Sequence, residues 1–322
     1  MLAPRFSFAI LRRSVTVTPM SGDNPHLLSP SLLHRLEQLQ WVSHRRSRSS
    51  ARGERQSKAR GHSVEFADYR SYVPGDDLRH LDWNLYGRLD RLFVRLYEEE
   101  RELPIHVFLD ASASMNFGSG LSKFDWAQRL TAALGYVALC GFDRVTVRTF
   151  PHHSSSAANP SSHLRAVRGK RQARNFLANI AQLKPGGSGD LNAALRRGSL
   201  EMRRPGVVVV ISDFLDPQGF APGLESLVTR GCQVQVVQVL APEEWDPPWQ
   251  GDLRMVDVES GAEQEVTCGR FRLQAYQRTV EHFTGRLRQF CRARGIASTL
   301  VRTDQTVDDF VLRELRRLRW LA

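Results

Sequence analysis

The sequence predicts an α/β protein: a mostly parallel sheet covered by helices on both faces. Two observations lead there. The runs Ile105–Leu109 (IHVFL), Val207–Ile211 (VVVVI) and Val234–Leu240 (VQVVQVL) are short and largely apolar, as strands buried on both sides must be. Segments of helical periodicity stand between them, and alternating strand and helix makes a parallel, doubly covered sheet. No apolar run approaches the ~18–20 residues that cross a bilayer, so no membrane span is expected.

The 322 residues leave room for one large domain or two modest ones. With 41% hydrophobic and 25% charged residues the chain has an ordinary soluble composition. Its net charge of +11 is carried by arginine, since only Lys58, Lys123, Lys170 and Lys184 are lysines. Cys140, Cys232, Cys268 and Cys291 lie far apart without a C-x-x-C pair, which excludes zinc-ribbon spacing and argues against a disulfide framework. A reducing, cytoplasmic setting is expected. The apolar FSFAIL near the start is shorter than the roughly 7–15-residue core of a secretory signal, and Met20 offers a second translation start.

In chain order, residues 1–60 read as a disordered, basic extension with one short helix. Residues 1–30 are Pro-, Ser- and Thr-rich without periodicity. Leu32–Val42 gathers Leu32, Leu33, Leu36 and Leu39 on one side of a helix, and Ser43–Gly61 is a basic loop. Residues 61–102 form a distinct subdomain. There Pro74-Gly75 makes a turn, Asp76 or Asp77 caps a short helix with Leu78, Leu81, Trp83 and Leu85, and Leu92–Tyr97 is a strand. From 103 to 322 the alternation is regular. Helices are expected at Phe124–Cys140, Asn175–Leu183, Leu191–Met202, Leu224–Arg230, Phe271–Arg294 and from Val307. Strands are expected at Val145–Phe150 and Ser298–Arg302, with a hairpin near 251–268 turning at Ser260-Gly261.

The chemistry concentrates at strand ends. Ile105–Leu109 runs into Asp110-Ala111-Ser112-Ala113-Ser114, one carboxylate and two hydroxyls at the strand tip. Such hard oxygen donors suit Mg²⁺, Mn²⁺ or Ca²⁺ rather than zinc. Asp213 ends the strand VVVVIS, and the Gly-rich turn Pro185–Leu191 opens a helix between the two. In open α/β sheets ligands bind beyond the carboxyl ends of the strands, so the three segments deliver oxygen to one edge. The bland alternative is that Asp110, Ser112 and Ser114 cap the following helix and knit its loop.

This set resembles the metal-ion-dependent adhesion site of von Willebrand factor A domains. The resemblance implies Ser112 and Ser114 as direct ligands, most naturally of Mg²⁺, with Asp110 and Asp213 acting through water. It also implies a threonine in the middle loop. Where the family often reads Gly-Gly-Thr-Asp-Leu, this chain has Gly187-Ser188-Gly189-Asp190-Leu191, leaving Ser188 as the nearest hydroxyl and Asp190 as the fallback. Hydroxyl ligands leave the ion poorly neutralised, so an open position attracts an Asp or Glu from a partner protein.

A second resemblance is broader. Asp68-Tyr69-Arg70, Tyr72, Pro74–Asp77, Arg79, Leu81-Asp82-Trp83 and Arg88, then KFDWAQRLTAALGYVAL (Lys123–Leu139) and Asp143-Arg144-Val145, resemble the domain-of-unknown-function family fifty-eight. That family is a branch of the von Willebrand A superfamily, and the likeness runs from about Gly61 to Val239. It implies a von Willebrand A-like, Rossmann-like sheet with a family-specific N-terminal subdomain. It also implies an association with MoxR-type AAA+ ATPases, making a non-enzymatic adaptor the expected function. Asp76, Asp77, Arg79, Asp82 and Arg88 are then candidates for docking the partner; an internal salt-bridge network is the alternative.

Two other classes compete. A Mg²⁺-dependent phosphoesterase would use Asp110 and Asp213 to activate water, but no G-x-S-x-G elbow and no G-x-x-x-x-G-K-[ST] loop is present. His152-His153 lacks a third zinc ligand. A nucleic-acid binder would use Arg270, Arg272, Arg278, Arg286, Arg288, Arg292 and Arg294. Leu273, Tyr276, Val280, Phe283, Leu287 and Phe290 form the opposite face of that helix, so the arginines are equally the outer side of a packed helix.

Overall fold

The structure is a computed structural model describing residues 8–11, 27–42, 64–76, 78–99, 102–151, 163–216, 218–248, 251–257 and 263–322. It divides into two units: residues 45–102, and the rest of the chain. The basic loop Ser43–Gly61, His152-His153, Asp77 and the turn Ser260-Gly261 lie outside the described residues.

The chain begins with β1 (Phe8–Leu11) and α1 (Pro30–Leu36), whose Ser29 accepts the Leu32 N–H. The smaller unit holds β2 (Val64–Ser71), α2 (Trp83–Leu89) and β3 (Phe93–Glu99), with β2 and β3 antiparallel. The larger unit resumes with β4 (Pro104–Asp110), α3 (Lys123–Cys140), β5 (Arg144–Phe150) and β6 (His163–Arg168). It continues through α4 (Ala173–Ala181), α5 (Leu191–Glu201), β7 (Val207–Ser212), α6 (Ala221–Thr229), β8 (Gln233–Leu240) and α7 (Pro242–Trp245). A hairpin of β9 (Gly251–Asp257) and β10 (Glu263–Cys268), the long α8 (Arg270–Ala293), β11 (Ala297–Arg302) and a final helical segment from Val307 complete it.

The central sheet has the order β11-β8-β7-β4-β5-β6. All neighbours are parallel except β5 and β6. Counting only these strands along the chain, the spatial order is 3-2-1-4-5-6, so the winding reverses between β4 and β7. Crossovers leave that point in opposite directions, the position at which open α/β sheets ordinarily bind ligands at the strands' carboxyl ends.

Alternation along the strands divides the core. Ile105, Val107, Leu109, Val209 and Ile211 pack with α3 and α4, through Leu130, Leu134, Phe176 and Ile180. Phe108, Val208, Val210 and Val236 face Leu195, Leu224 and Leu287 on the other side. At Gly198 on α5 a Cβ would come within 2.3 Å of the Phe108 ring, so only glycine lets that helix approach the sheet.

Three sequence expectations are corrected. Residues 1–30 are not wholly irregular, because β1 pairs antiparallel with β9. The helix expected over Leu32–Val42 ends at Leu36. Leu32, Leu36 and Trp41 are then buried in the main core rather than in a separate extension. Gln40 and Ala322 exchange backbone hydrogen bonds of 3.1 and 2.9 Å, and the Trp41 indole N–H donates to the Leu134 carbonyl at 3.3 Å. As a result α3 is covered on nearly every side, where its sequence suggested a single apolar face. The arginines of α8 are exposed while Thr284, Leu287 and Cys291 are buried.

His106 on β4 is buried and titrates at about 4, because burial disfavours the imidazolium and Arg148 repels it. The unfolded chain takes up this proton below 6.5 and the folded chain does not, so stability falls as pH drops from 6.5 toward 4. His106→Leu is expected to remove about 2–3 kcal/mol of the stability difference between pH 7 and 4.5. Denaturant titrations at the two pH values measure it; an unchanged difference refutes the assignment.

Candidate functional site at the carboxyl edge of the sheet

β4 ends at Asp110 and β7 at Ser212, on either side of the switch point. Asp110 joins them. Its Oδ1 accepts the Ser112 N–H at 2.9 Å, and its Oδ2 accepts the Ser212 hydroxyl at 2.5 Å. The hydroxyls of Ser112 and Ser114 are hydrogen-bonded to each other, 2.9 Å apart. The Gly-rich loop is sewn to this turn, with Gly186 N–H donating to the Ala111 carbonyl (2.7 Å) and Ala113 N–H to the Gly187 carbonyl (2.9 Å). The three segments therefore do meet at one edge. The helix that follows is capped by Ser122, whose hydroxyl oxygen accepts the Asp125 N–H at 3.0 Å, so the 110–114 turn does not cap it, while the Asp110–Ser112 and Ser112–Ser114 hydrogen bonds do knit their own loop.

The middle loop supplies no ligand side chain. Asp190 caps α5 by accepting the Ala193 N–H at 3.0 Å, and Ser188 is exposed. Gly189 stands where the resembled sites carry threonine. A Cβ there would lie 2.4 Å from the Pro151 Cβ and 3.0 Å from its Cα, so Pro151 fills the space a threonine would need.

The sequence reading missed Lys123. This first residue of α3 is 1% exposed, and its Nζ donates to Asp213 Oδ2 at 2.7 Å and to Glu244 Oε1 at 2.6 Å. Asp213 Oδ1 accepts the Leu215 N–H at 3.0 Å, so both its oxygens are engaged. Glu244 arrives from α7, where its Oε2 accepts the Ala241 N–H at 2.8 Å. The adjacent Glu243 accepts from the backbone N–H and the hydroxyl of Ser119. One signal pointed to Lys123: a cation in the first turn opposes the helix dipole and needs a compensating anion.

The electrostatics follow from burial. Desolvation works against the Lys123 ammonium, but Asp213 and Glu244 outweigh it and hold its pKa above the ordinary value. Burial, and then the charge of Asp213, push Asp110 up to about 7. Burial also raises Glu244, against the pull of Lys123.

A hard divalent ion fits part of this set. Octahedral Mg²⁺, with bonds of about 2.0–2.1 Å, places adjacent oxygens about 2.9 Å apart, the separation of the two serine hydroxyls. Ser112 and Ser114 would hold such an ion, Asp110 would support it, and the ion would supply an open electrophilic position. Asp213, Ser188 and Asp190 do not join them in this structure. Among the described residues no group of three or more His, Cys, Asp or Glu is arranged to hold a metal.

Comparison with known proteins places the chain. The family model described as "Protein of unknown function DUF58" matches residues 68–284. The chain belongs to this family. Uncharacterized proteins of Mycobacterium bovis and Mycobacterium tuberculosis are each 32% identical over 213 residues, covering 64% of this chain and 64% of theirs. The chain thus spans less than two thirds of the length of these relatives. An uncharacterized Mycobacterium avium protein is 32% identical over 102 residues, 31% of this chain and 60% of its own. Among solved structures, conserved hypothetical protein BatB from Bacteroides thetaiotaomicron aligns with a TM-score of 0.37 at 19% identity, over 67% of this chain and 98% of that one.

The DUF58 match begins in the smaller unit, which holds the other candidates. Asp82 is buried there. It caps α2 through the Asn84 and Leu85 N–H groups (3.0 and 3.1 Å) and accepts the Tyr69 hydroxyl at 3.0 Å, so it is internal structure rather than docking surface. Asp76, expected as the cap, does not take that place. It accepts the Val73 N–H at 3.0 Å and pairs with Arg70 at 2.8 Å. Arg79 and Arg88 are exposed.

Gly189→Thr, which restores the residue the resemblance calls for, is expected to cost about 1–3 kcal/mol by overpacking against Pro151. Chemical denaturation measures this, and a variant as stable as the parent rejects the steric account.

Proposed function

We propose that this DUF58 protein is a non-enzymatic, von Willebrand A-like interaction module that receives a carboxylate of a partner protein through a divalent ion, Mg²⁺ by preference. The observation that carries the reading is the Ser112–Ser114 hydroxyl pair, 2.9 Å apart at the switch point of the sheet. The 3-2-1-4-5-6 order with an antiparallel edge strand supports the fold resemblance. Two neutral hydroxyls leave an ion's charge largely unspent, which favours an incoming Asp or Glu over water. The partner that the resemblance suggests is a MoxR-type AAA+ ATPase, with exposed Arg79 and Arg88 of the smaller unit as further contacts. A hydrolase reading is less well supported. Both oxygens of Asp110 accept hydrogen bonds, and those of Asp213 are taken by Lys123 and the Leu215 N–H, so neither carboxylate is presented as a base for water.

Calorimetric titration with Mg²⁺ is expected to show saturable binding to one site, abolished in Ser112→Ala. Equal heats for the two proteins would reject the ion site.

A further inference from the structure

We propose that Lys123 is the resident cation of this centre: its ammonium withholds Asp213 from any bound metal and thereby keeps the ion site at the serine pair weak. The inference rests on the reading above for the identity of the ion site and goes beyond it in assigning what sets its affinity.

The geometry is that of a filled position. Lys123 is 1% exposed, and its Nζ lies 2.7 Å from one carboxylate and 2.6 Å from another. A buried charge persists only when it is paired and hydrogen-bonded, and these contacts meet both conditions. The pair spans two separate elements, since Asp213 follows β7 and Glu244 belongs to α7. The carboxylates are themselves anchored on their other oxygens by the Leu215 and Ala241 N–H groups. Asp213 therefore cannot turn toward the serines without giving up Lys123, and the ammonium would then be buried with a single partner.

The middle loop points the same way. Pro151 occupies the space of the missing threonine at Gly189, so the second oxygen source is closed by packing as Asp213 is closed by charge. What remains for a metal comes from the single turn Asp110–Ser114. Ligand charge count and site rigidity tune the affinity of oxygen sites for divalent ions, so a centre short of Asp213 binds weakly. The arrangement also ties ion binding to α7. An ion that recruited Asp213 would leave the Lys123 ammonium to Glu244 of α7 alone, beside the Glu243 to Ser119 contact from the same helix.

Mg²⁺ titrations of the full chain and two variants test this. Lys123→Met keeps most of the side chain's length and removes the charge, and it is expected to bind Mg²⁺ at least tenfold more tightly than the parent. Adding Asp213→Asn to Lys123→Met keeps the net charge of the parent pair and is expected to return the affinity to within twofold of the parent, because the gain comes from the freed carboxylate. Unchanged or weaker binding by Lys123→Met overturns the proposal, as does a Lys123→Met/Asp213→Asn variant that keeps the full tenfold gain. If Lys123→Met does not fold, Lys123→Met combined with Glu244→Gln removes one buried anion with the cation and is read by the same criterion. A parent that shows no binding while the lysine variant binds sinks the metal-dependent reading and upholds this inference. Absence of binding in all of them sinks both.

Discussion

Two carboxylates, Asp213 and Glu244, meet the ammonium of Lys123 at the carboxyl edge of the sheet, and a third, Asp110, lies close enough to Asp213 to feel its charge. Desolvating an ion costs several kcal/mol even after relaxation, so such a cluster exists only where compensation is built in. Lys123 provides it for Asp213 and Glu244. Asp110 is provided for differently, by the Ser112 N–H and the Ser212 hydroxyl, and its raised pKa records how incomplete that is. The first residue of α3, the end of β7 and the helix after β8 are thereby held to one another by charge, whereas the two faces of the sheet are covered by apolar packing. Removing the ammonium would leave two buried anions uncompensated, a change that ordinarily costs about 3–5 kcal/mol.

Topology decides why these groups meet at all. The winding reverses between β4 and β7, so neither crossover covers the gap at their carboxyl ends. Loops fill it instead, and buried loops must satisfy their own backbone. The Gly186 and Ala113 N–H groups do so by bonding across to Ala111 and Gly187. Small residues are required for that approach: Pro151 presses against Gly189 with no room for a side chain. The same closeness that knits the loops together removes a position from which a ligand side chain could have reached the centre.

Much of the fold was legible because burial on both faces writes itself as uninterrupted apolar runs. β4, β7 and β8, and helices α3, α5, α6 and α8, lie within a few residues of where pattern placed them. β6 was not read, since HLRAVR carries no alternation strong enough to distinguish an edge strand from a loop. The role of residues 28–41 was also hidden. Their apolar positions predicted a helix, yet nothing local says that Leu36 and Trp41 meet α3 and the chain's last residues. At the site, Asp110, Ser112, Ser114 and Asp213 were visible as oxygen donors at strand ends, and the structure brings their segments together. Lys123 was hard to single out for a different reason, despite its charge in the first turn of α3. It sits inside a run that satisfies helical periodicity, and its partners lie 90 and 121 residues away.

The departures from the resembled metal site are mutually consistent. A lysine without the loss of the middle-loop ligand would place an ammonium against a fully built cation cage, and like charges that close are strongly unfavourable. Loss of the middle ligand without the lysine would leave Asp213 and Glu244 buried and unpaired. Together they exchange part of a metal's charge for an internal one while leaving the serine turn, its aspartate brace and its position at the switch point in place. In the proposed reading this divides two tasks that one ion would otherwise perform. Lys123 holds the edge of the fold together at all times, and the serine pair is left for a weakly held ion whose charge is free to meet a partner.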